Sequence, residues 1–179
     1  QWVIFLNTLF TKHEAKNPVY GNPEAIKKMT RSDILQYHKQ YYIPENMTIS
    51  VVGNVSNPLP LLKEKFGGML KRSIRTIDLV HEPSPTKQRT RTVKRDIEHV
   101  YLVVGYPVAQ KGHHDSYGLE VIRSVLGRGQ SSRLFDEIRT KRGIAYIVGA
   151  LYESSLTFGA FASYLSTNKE NLPEARKVL

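Results

Sequence analysis

The apolar positions of this chain change period several times, and each change marks an element. Trp2, Phe5, Leu6, Leu9 and Phe10 recur at helical spacing over residues 1 to about 12. The run Asn17-Pro18-Val19-Tyr20-Gly21-Asn22-Pro23 then breaks the helix as a loop. Glu24 to Met29 is a short helical turn. Thr30-Arg31-Ser32-Asp33 has capping-box spacing and opens a helix through Tyr42, stopped by Pro44. Met47 to Val52 alternates apolar and small polar residues before turning wholly apolar, which predicts a strand. Gly53-Asn54-Val55-Ser56 turns into a helix carrying Leu59, Leu61, Leu62 and Phe66, closed by Gly67-Gly68.

From residue 74 to 87 periodicity fails and Pro83 and Pro85 intervene, so a surface linker is expected there. Two strands follow, about Gln88–Arg95 and His99–Val108, then a helix capped by Asp115 and running to Leu126. Gly127 and Gly129 make a turn, Ser131 or Ser132 can cap the next helix, and Leu134, Phe135 and Ile138 give it an apolar face. Gly143 ends that helix because it accepts the left-handed conformation. A strand over Ala145–Glu153 pairs through Ser154-Ser155 with one over Thr157–Leu165, and a helix begins at Asn168. Hairpin-joined strands with helices gathered on one face predict an α+β fold with a mostly antiparallel sheet. The division expected is 1–73, the tail of a preceding segment with a helix-strand-helix part; the linker 74–87; and 88–179, a strand-strand-helix-helix-hairpin-helix part.

Composition narrows the function. With 179 residues, 40% of them hydrophobic, the chain is long enough to bury a core and is globular. No apolar run reaches the roughly 18 residues of a membrane span, so a soluble protein is expected. The absence of cysteine leaves His, Asp and Glu as the only side chains for a metal. The 26 Lys and Arg against 16 Asp and Glu give +10, a field that favours acidic partners. The basic residues are dispersed, however, and Arg89 and Arg91 alternate as on a guarded sheet edge, so nucleic acid is not expected. The first residues lack a methionine and a signal-peptide pattern, and the last helix stops at Leu179, which suggests part of a longer polypeptide.

The order and spacing of several segments resemble the inverzincin zinc peptidases, the family of pitrilysin, insulinase and mitochondrial processing peptidase. The segments are Tyr20-Gly21 with Ile26, Asp33-Ile34 before Tyr41-Tyr42, Pro44-Glu45-Asn46-Met47 and Val51-Val52-Gly53-Asn54-Val55. In the second half they are Leu126-Gly127, Ser131-Ser132-Arg133-Leu134-Phe135 and Ile138-Arg139 to Tyr146. The resemblance implies an antiparallel sheet covered by helices, one half of a clam shell that closes over a peptide. It also implies zinc on an H-x-x-E-H helix with glutamate as general base. None of His13, His38, His81, His99, His113 or His114 stands in that motif, so the chain resembles the domain that follows the zinc-binding half. Zinc belongs to the inferred parent, a zinc metalloendopeptidase, and no metal ligand is assigned here.

The family's arginine and tyrosine fall on Arg139 and Tyr146. An arginine can hold a peptide carbonyl or carboxylate with its fork of donors, and a tyrosine hydroxyl can donate to the oxyanion forming at a scissile carbonyl. Ser132, Arg133, Tyr152 and Phe158 are further candidates for binding substrate, the last two beside a strand edge suited to an extended peptide. The plain alternative for Arg139 is a basic residue placed at a helix C-terminus by the dipole. His113-His114-Asp115 reads as a solvated loop before a metal site. The expected partners are a peptide or unfolded protein substrate and a homologous zinc-binding half or subunit, as a dimer, in the cytoplasm. A scaffold or partner subunit of the same fold, without its own metal site, is the competing function.

Overall fold

A computed structural model describes residues 1–74 and 80–179, which form two compact groups: residues 1–19 with 80–179, and residues 20–74. The larger group is built on three antiparallel strands, β1 (Val100–Pro107), β2 (Ile147–Ser154) and β3 (Gly159–Thr167), in the order β1-β3-β2. The hairpin expected from the sequence joins β2 to β3, with Ser154 opposite Gly159 and Ile147 opposite Ser166. Its turn is closed by the Ser155 amide donating to the Phe158 carbonyl at 2.8 Å and by the Ser155 hydroxyl accepting from the Thr157 amide. β1 pairs along the other side of β3, from Val100 opposite Thr167 to Pro107 opposite Ala160. The central strand is therefore the most buried, and β2 keeps one edge unpaired among the described residues.

The period of two sorts the strand residues between two faces. Leu102, Val148, Ala150, Tyr152, Phe161 and Leu165 share one face and pack with Leu134, Ile138 and Ile144. Helix α5 (Asp115–Gly127) covers this face through Leu119 and Leu126, and the last helix, α6 (Leu172–Val178), adds Ala175 and Val178. Burying each large aliphatic chain there contributes about 1.5–3 kcal/mol. Helix α1 (Trp2–Leu9) lies against residues of opposite parity: Leu9 and Phe10 pack on Ala160, and the Trp2 ring meets Tyr164 edge-on at 5.1 Å. Gly127 permits the close contact of α5 with β2, since a Cβ there would stand 1.9 Å from the Ala150 nitrogen. The fold is α+β with an antiparallel sheet. Residues 1–19, placed by the sequence with the part up to 73, pack instead on the sheet of the later part.

The smaller group holds three helices, α2 (Pro23–Lys28), α3 (Arg31–Tyr41) and α4 (Leu59–Phe66). The Thr30–Asp33 capping box is complete: the Thr30 hydroxyl accepts from the Asp33 amide at 3.2 Å and the Asp33 carboxylate from the Thr30 amide at 2.8 Å. The Thr30 hydroxyl, which also donates to the Asp33 carboxylate at 2.7 Å, and then the Thr30 amide hold the Asp33 carboxyl below its ordinary value. Ile43 is the buried hydrophobic of this group, at 3% exposure.

Two stretches expected as strands join no ladder among the described residues. Met47 is extended (φ −116°, ψ 137°), yet Met47–Val52 finds no partner, and neither does Gln88–Arg95. Alternation describes the faces of a strand but not its neighbour, and without a neighbour the ladder does not form. Part of the expected linker, residues 75–79, lies outside the described residues. Its continuation, 80–87, has no regular structure but carries Glu82, whose carboxylate accepts from the amides of Thr11, Lys12 and His13 at 2.8, 2.7 and 2.9 Å. Arg89 donates to the Leu9 carbonyl at 2.8 Å, so the end of α1 receives a cation on its free carbonyls and an anion on the amides that follow. No helix among the described residues is long and apolar enough to cross a membrane.

Candidate functional site

The stretch from Gly127 to Tyr146 folds as a turn, a short irregular helix and a tight exit. Ser132, one of the two serines expected as the cap, does not cap the helix with its side chain: its hydroxyl donates to the Gly129 carbonyl at 2.8 Å and closes the preceding turn. Ser132 is buried there, whereas Arg133 beside it is exposed. After one α-helical step the backbone widens into a π turn over Phe135–Thr140, with the Lys141 amide reaching the Asp136 carbonyl at 2.9 Å. Such widened turns recur at functional sites. Ile138, with 0% exposure, pins the turn to the sheet.

The exit from this turn is local chemistry. Gly143 adopts φ +64°, the left-handed region, and its amide donates to the Arg139 carbonyl at 3.1 Å. The Ile144 amide returns to the Ile138 carbonyl at 3.2 Å, and the Thr167 hydroxyl at the end of β3 donates to the Ile144 carbonyl. Ile144 and Ala145 are buried, which leaves Tyr146 as the last residue before β2. It stands one residue outside the strand rather than just inside it: the β2–β3 pairing ends with Ile147 opposite Ser166, although β3 runs on to Thr167.

Arg139 and Tyr146 meet. The guanidinium carbon lies 4.3 Å from the Tyr146 ring centroid and 4.9 Å from that of Phe135. One guanidinium nitrogen donates to the Tyr146 carbonyl at 3.3 Å. Tyr146 itself is 77% exposed, and its hydroxyl has no hydrogen-bond partner among the described residues. The acidic neighbours are engaged elsewhere. Lys141 binds Glu137 at 2.5 Å and Asp136 at 2.9 Å, and Arg142 binds Glu137 at 2.6 Å. The bonds from Lys141 and then Arg142 hold the Glu137 carboxyl below its usual range, and Glu137 followed by Asp136 raises Lys141.

The other candidates are not brought to this point. The Tyr152 ring lies in the main core and its hydroxyl donates to the Ala109 carbonyl at 2.7 Å. Phe158 packs edge-on against Phe10 at 5.4 Å, with His13 on it at 5.3 Å. Both are packing residues, because the hairpin tip that carries them folds onto the segment after β1 and onto the end of α1. Phe135, assigned by the sequence to an apolar face, joins the site instead; its spacing of four from Arg139 was the available signal.

Zinc needs three or four converging donors, in a closed or partly open shell. His13 is buried among aromatic rings with its Nδ1 accepting from the Ala15 amide at 3.0 Å. His38 stacks on Tyr42, and His99 faces Asn168 at 3.1 Å. Among the described residues, His113, His114 and Asp115 have donor atoms within 4.8 Å of one another. All three are exposed, and they are already paired: the His113 Nδ1 accepts from the Asp115 amide and the His114 Nε2 lies 3.0 Å from the Asp115 carboxylate. This donor set does not fit a resident zinc, and the expectation that Asp115 caps α5 gives way to Asp115 as the first helical residue, with His114 at the N-cap making no side-chain capping bond and the His113 Nδ1 accepting from the Asp115 amide.

Comparison with known proteins gives a consistent result. A family model described as "Peptidase M16 inactive domain" matches residues 28–179. An uncharacterized zinc protease of Mycobacterium bovis is 31% identical over 98% of this chain and 41% of its own length. A zinc protease of Helicobacter pylori is 30% identical over 79% of this chain and 33% of its own length. Among solved structures, a protease from Helicobacter pylori superposes with a TM-score of 0.85 at 26% identity, covering 99% of this chain and 44% of that one. A peptidase M16 inactive domain from Pseudomonas fluorescens superposes with a TM-score of 0.82 at 19% identity, covering 98% of this chain and 43% of that one. The chain thus spans about two fifths of the length of the curated relatives it matches.

Proposed function

The chain belongs to the M16 peptidase family, as its inactive domain, and from that premise we propose that it is the substrate-positioning half of a zinc endopeptidase. Zinc and the general base are supplied by a homologous half outside these residues, on the same polypeptide or on a partner subunit. This half contributes chamber wall and a hold on peptide backbone.

The observation that carries this reading is the placement of Tyr146. A tyrosine with an unpartnered hydroxyl is fixed on a rigid rim, one residue before a strand whose outer edge is unpaired among the described residues. An extended peptide added along β2 would receive backbone hydrogen bonds without regard to its side chains. Its scissile carbonyl would develop negative charge as it becomes tetrahedral, and a phenol placed beforehand donates to that oxygen without reorganising. Arg139 holds the tyrosine and Arg133 offers an exposed cation nearby in sequence, suited to an acidic residue of the peptide.

In the complete peptidase, Tyr146→Phe is expected to lower kcat by tenfold or more with little change in KM, because the bond is made only in the transition state. An unchanged kcat would remove Tyr146 from the chemistry and leave the second reading, a scaffold of the same fold. That reading is favoured by the inward commitment of Tyr152 and Phe158, which leaves fewer side chains for substrate.

A further inference from the structure

The widened turn and its exit carry Asp136, Glu137, Arg139, Lys141 and Arg142 close together, and pair them in a register of their own. The Lys141 amide donates to the Asp136 carbonyl, and the Lys141 ammonium reaches the Asp136 carboxylate, at 2.9 Å in each case. Arg142 also reaches five residues back: one guanidinium nitrogen donates to the Glu137 carboxylate and to the Glu137 carbonyl, each at 2.6 Å. Lys141 holds Glu137 as well, at 2.5 Å. An ordinary α-helical turn would sort these charges differently. Residues three and four apart are neighbours there, so Asp136 would stand beside Arg139. In the i→i+5 register it stands beside Lys141 instead, and among the described residues Arg139 has no carboxylate partner. The polar contact of Arg139 is one bond to the Tyr146 carbonyl at 3.3 Å. A guanidinium has five N–H donors, so most of the fork stays open to an acceptor from outside.

We propose that Lys141 and Arg142 are positioning residues for substrate binding: they hold Asp136 and Glu137 in the i→i+5 register, and so keep the Arg139 guanidinium open to a carbonyl or carboxylate of the peptide. The inference rests on the reading of this rim as a hold on peptide backbone. Without the two cations, Asp136 is released to take the donors of Arg139, three residues on. A carboxylate on the same chain competes at a high effective concentration, so the peptide loses even when the internal pair is weak. The pair that would form is exposed, and the worth of a surface ion pair sets the loss at about two- to fivefold in peptide binding. Contacts made at Tyr146 in the transition state are left in place, so the loss falls on KM and not on kcat.

The test uses the complete peptidase and an internally quenched peptide without charged side chains, so that the net charge of the rim does not itself attract or repel the probe. The double variant Lys141→Met/Arg142→Met is expected to raise KM about two- to fivefold with kcat within twofold. Adding Asp136→Asn and Glu137→Gln should return KM to the parent value, because no carboxylate is left to capture Arg139. Lys141→Arg, which keeps the cation, should stay within twofold of the parent. In an Arg139→Gln background the double variant should cost nothing more, since there is no guanidinium left to occupy. An equal rise in KM with Arg139 absent would overturn the inference, as would failure of the two amide substitutions to restore binding, or a lowered Tm with KM unchanged. If Arg139→Gln by itself leaves kcat/KM intact, the hold on substrate at this rim fails and the positioning role falls with it. If Arg139→Gln weakens binding and the double variant does not, only the positioning role is lost.

Discussion

Replacing Glu82 by glutamine removes the charge that holds the segment after residue 79 onto the end of α1. The carboxylate is 9% exposed and accepts four hydrogen bonds, from the amides of Thr11, Lys12 and His13 and from the Thr11 hydroxyl at 2.7 Å. Burial pushes its pKa up, but the bonds from His13, Lys12 and Thr11 outweigh that and hold it at about 2, against 4.5 ordinarily. At about 1.4 kcal/mol for each tenfold change in proton affinity, the ionised form is favoured in the fold by about 3 kcal/mol. Glutamine lowers the acceptor charge and turns an NH2 toward backbone donors, so Glu82→Gln is expected to cost about 2–3 kcal/mol at pH 7. Urea unfolding of parent and variant from pH 7 to pH 2 measures it. A carboxyl with a depressed folded value stabilises the fold fully above about 4.5 and loses that contribution as pH falls toward 2, so the gap between the two proteins should close over this window. A gap below about 0.5 kcal/mol at pH 7, or one that does not vary with pH, would refute the reasoning.

Two further outcomes test the packing. Gly127→Ala drives a methyl into the backbone of β2 at Ala150 and should cost about 3 kcal/mol or more, seen as a large fall in Tm. Tyr152→Phe removes the bond to the Ala109 carbonyl and should cost about 1 kcal/mol in denaturant unfolding. The same variant should leave KM for peptide unchanged in the complete peptidase, and a raised KM would return Tyr152 to the substrate surface.

At several places where the signal lies within a few residues, the sequence reads true, although the local caps expected at Ser132 and Asp115 do not form. The Thr30–Asp33 capping box, the left-handed Gly143 and the β2–β3 hairpin each follow from side-chain chemistry and spacing that no distant contact needs to complete. The pairing of Arg139 with Tyr146 belongs partly to this group, since Gly143 between them fixes the return of the chain. The order of such motifs along the chain was also enough to reach the peptidase family and to see that its zinc motif is missing from these residues.

The rest depended on neighbours far along the chain. Met47–Val52 and Gln88–Arg95 alternate as strands do, but a ladder is a property of two segments, and neither has its partner among the described residues. Glu82 looked like one charge in a linker and proves to be the ligand of three backbone amides some seventy residues upstream. Tyr152 and Phe158 resembled surface aromatics until the hairpin tip folded onto Ala109 and Phe10. The sequence by itself determined the Thr30–Asp33 cap, the turn at Gly143 and the identity of the side chains at the rim, because those are local free energies. Which of these side chains face a substrate and which are held by the protein was decided only by tertiary structure, because a side chain's role depends on the groups that remain free to meet it.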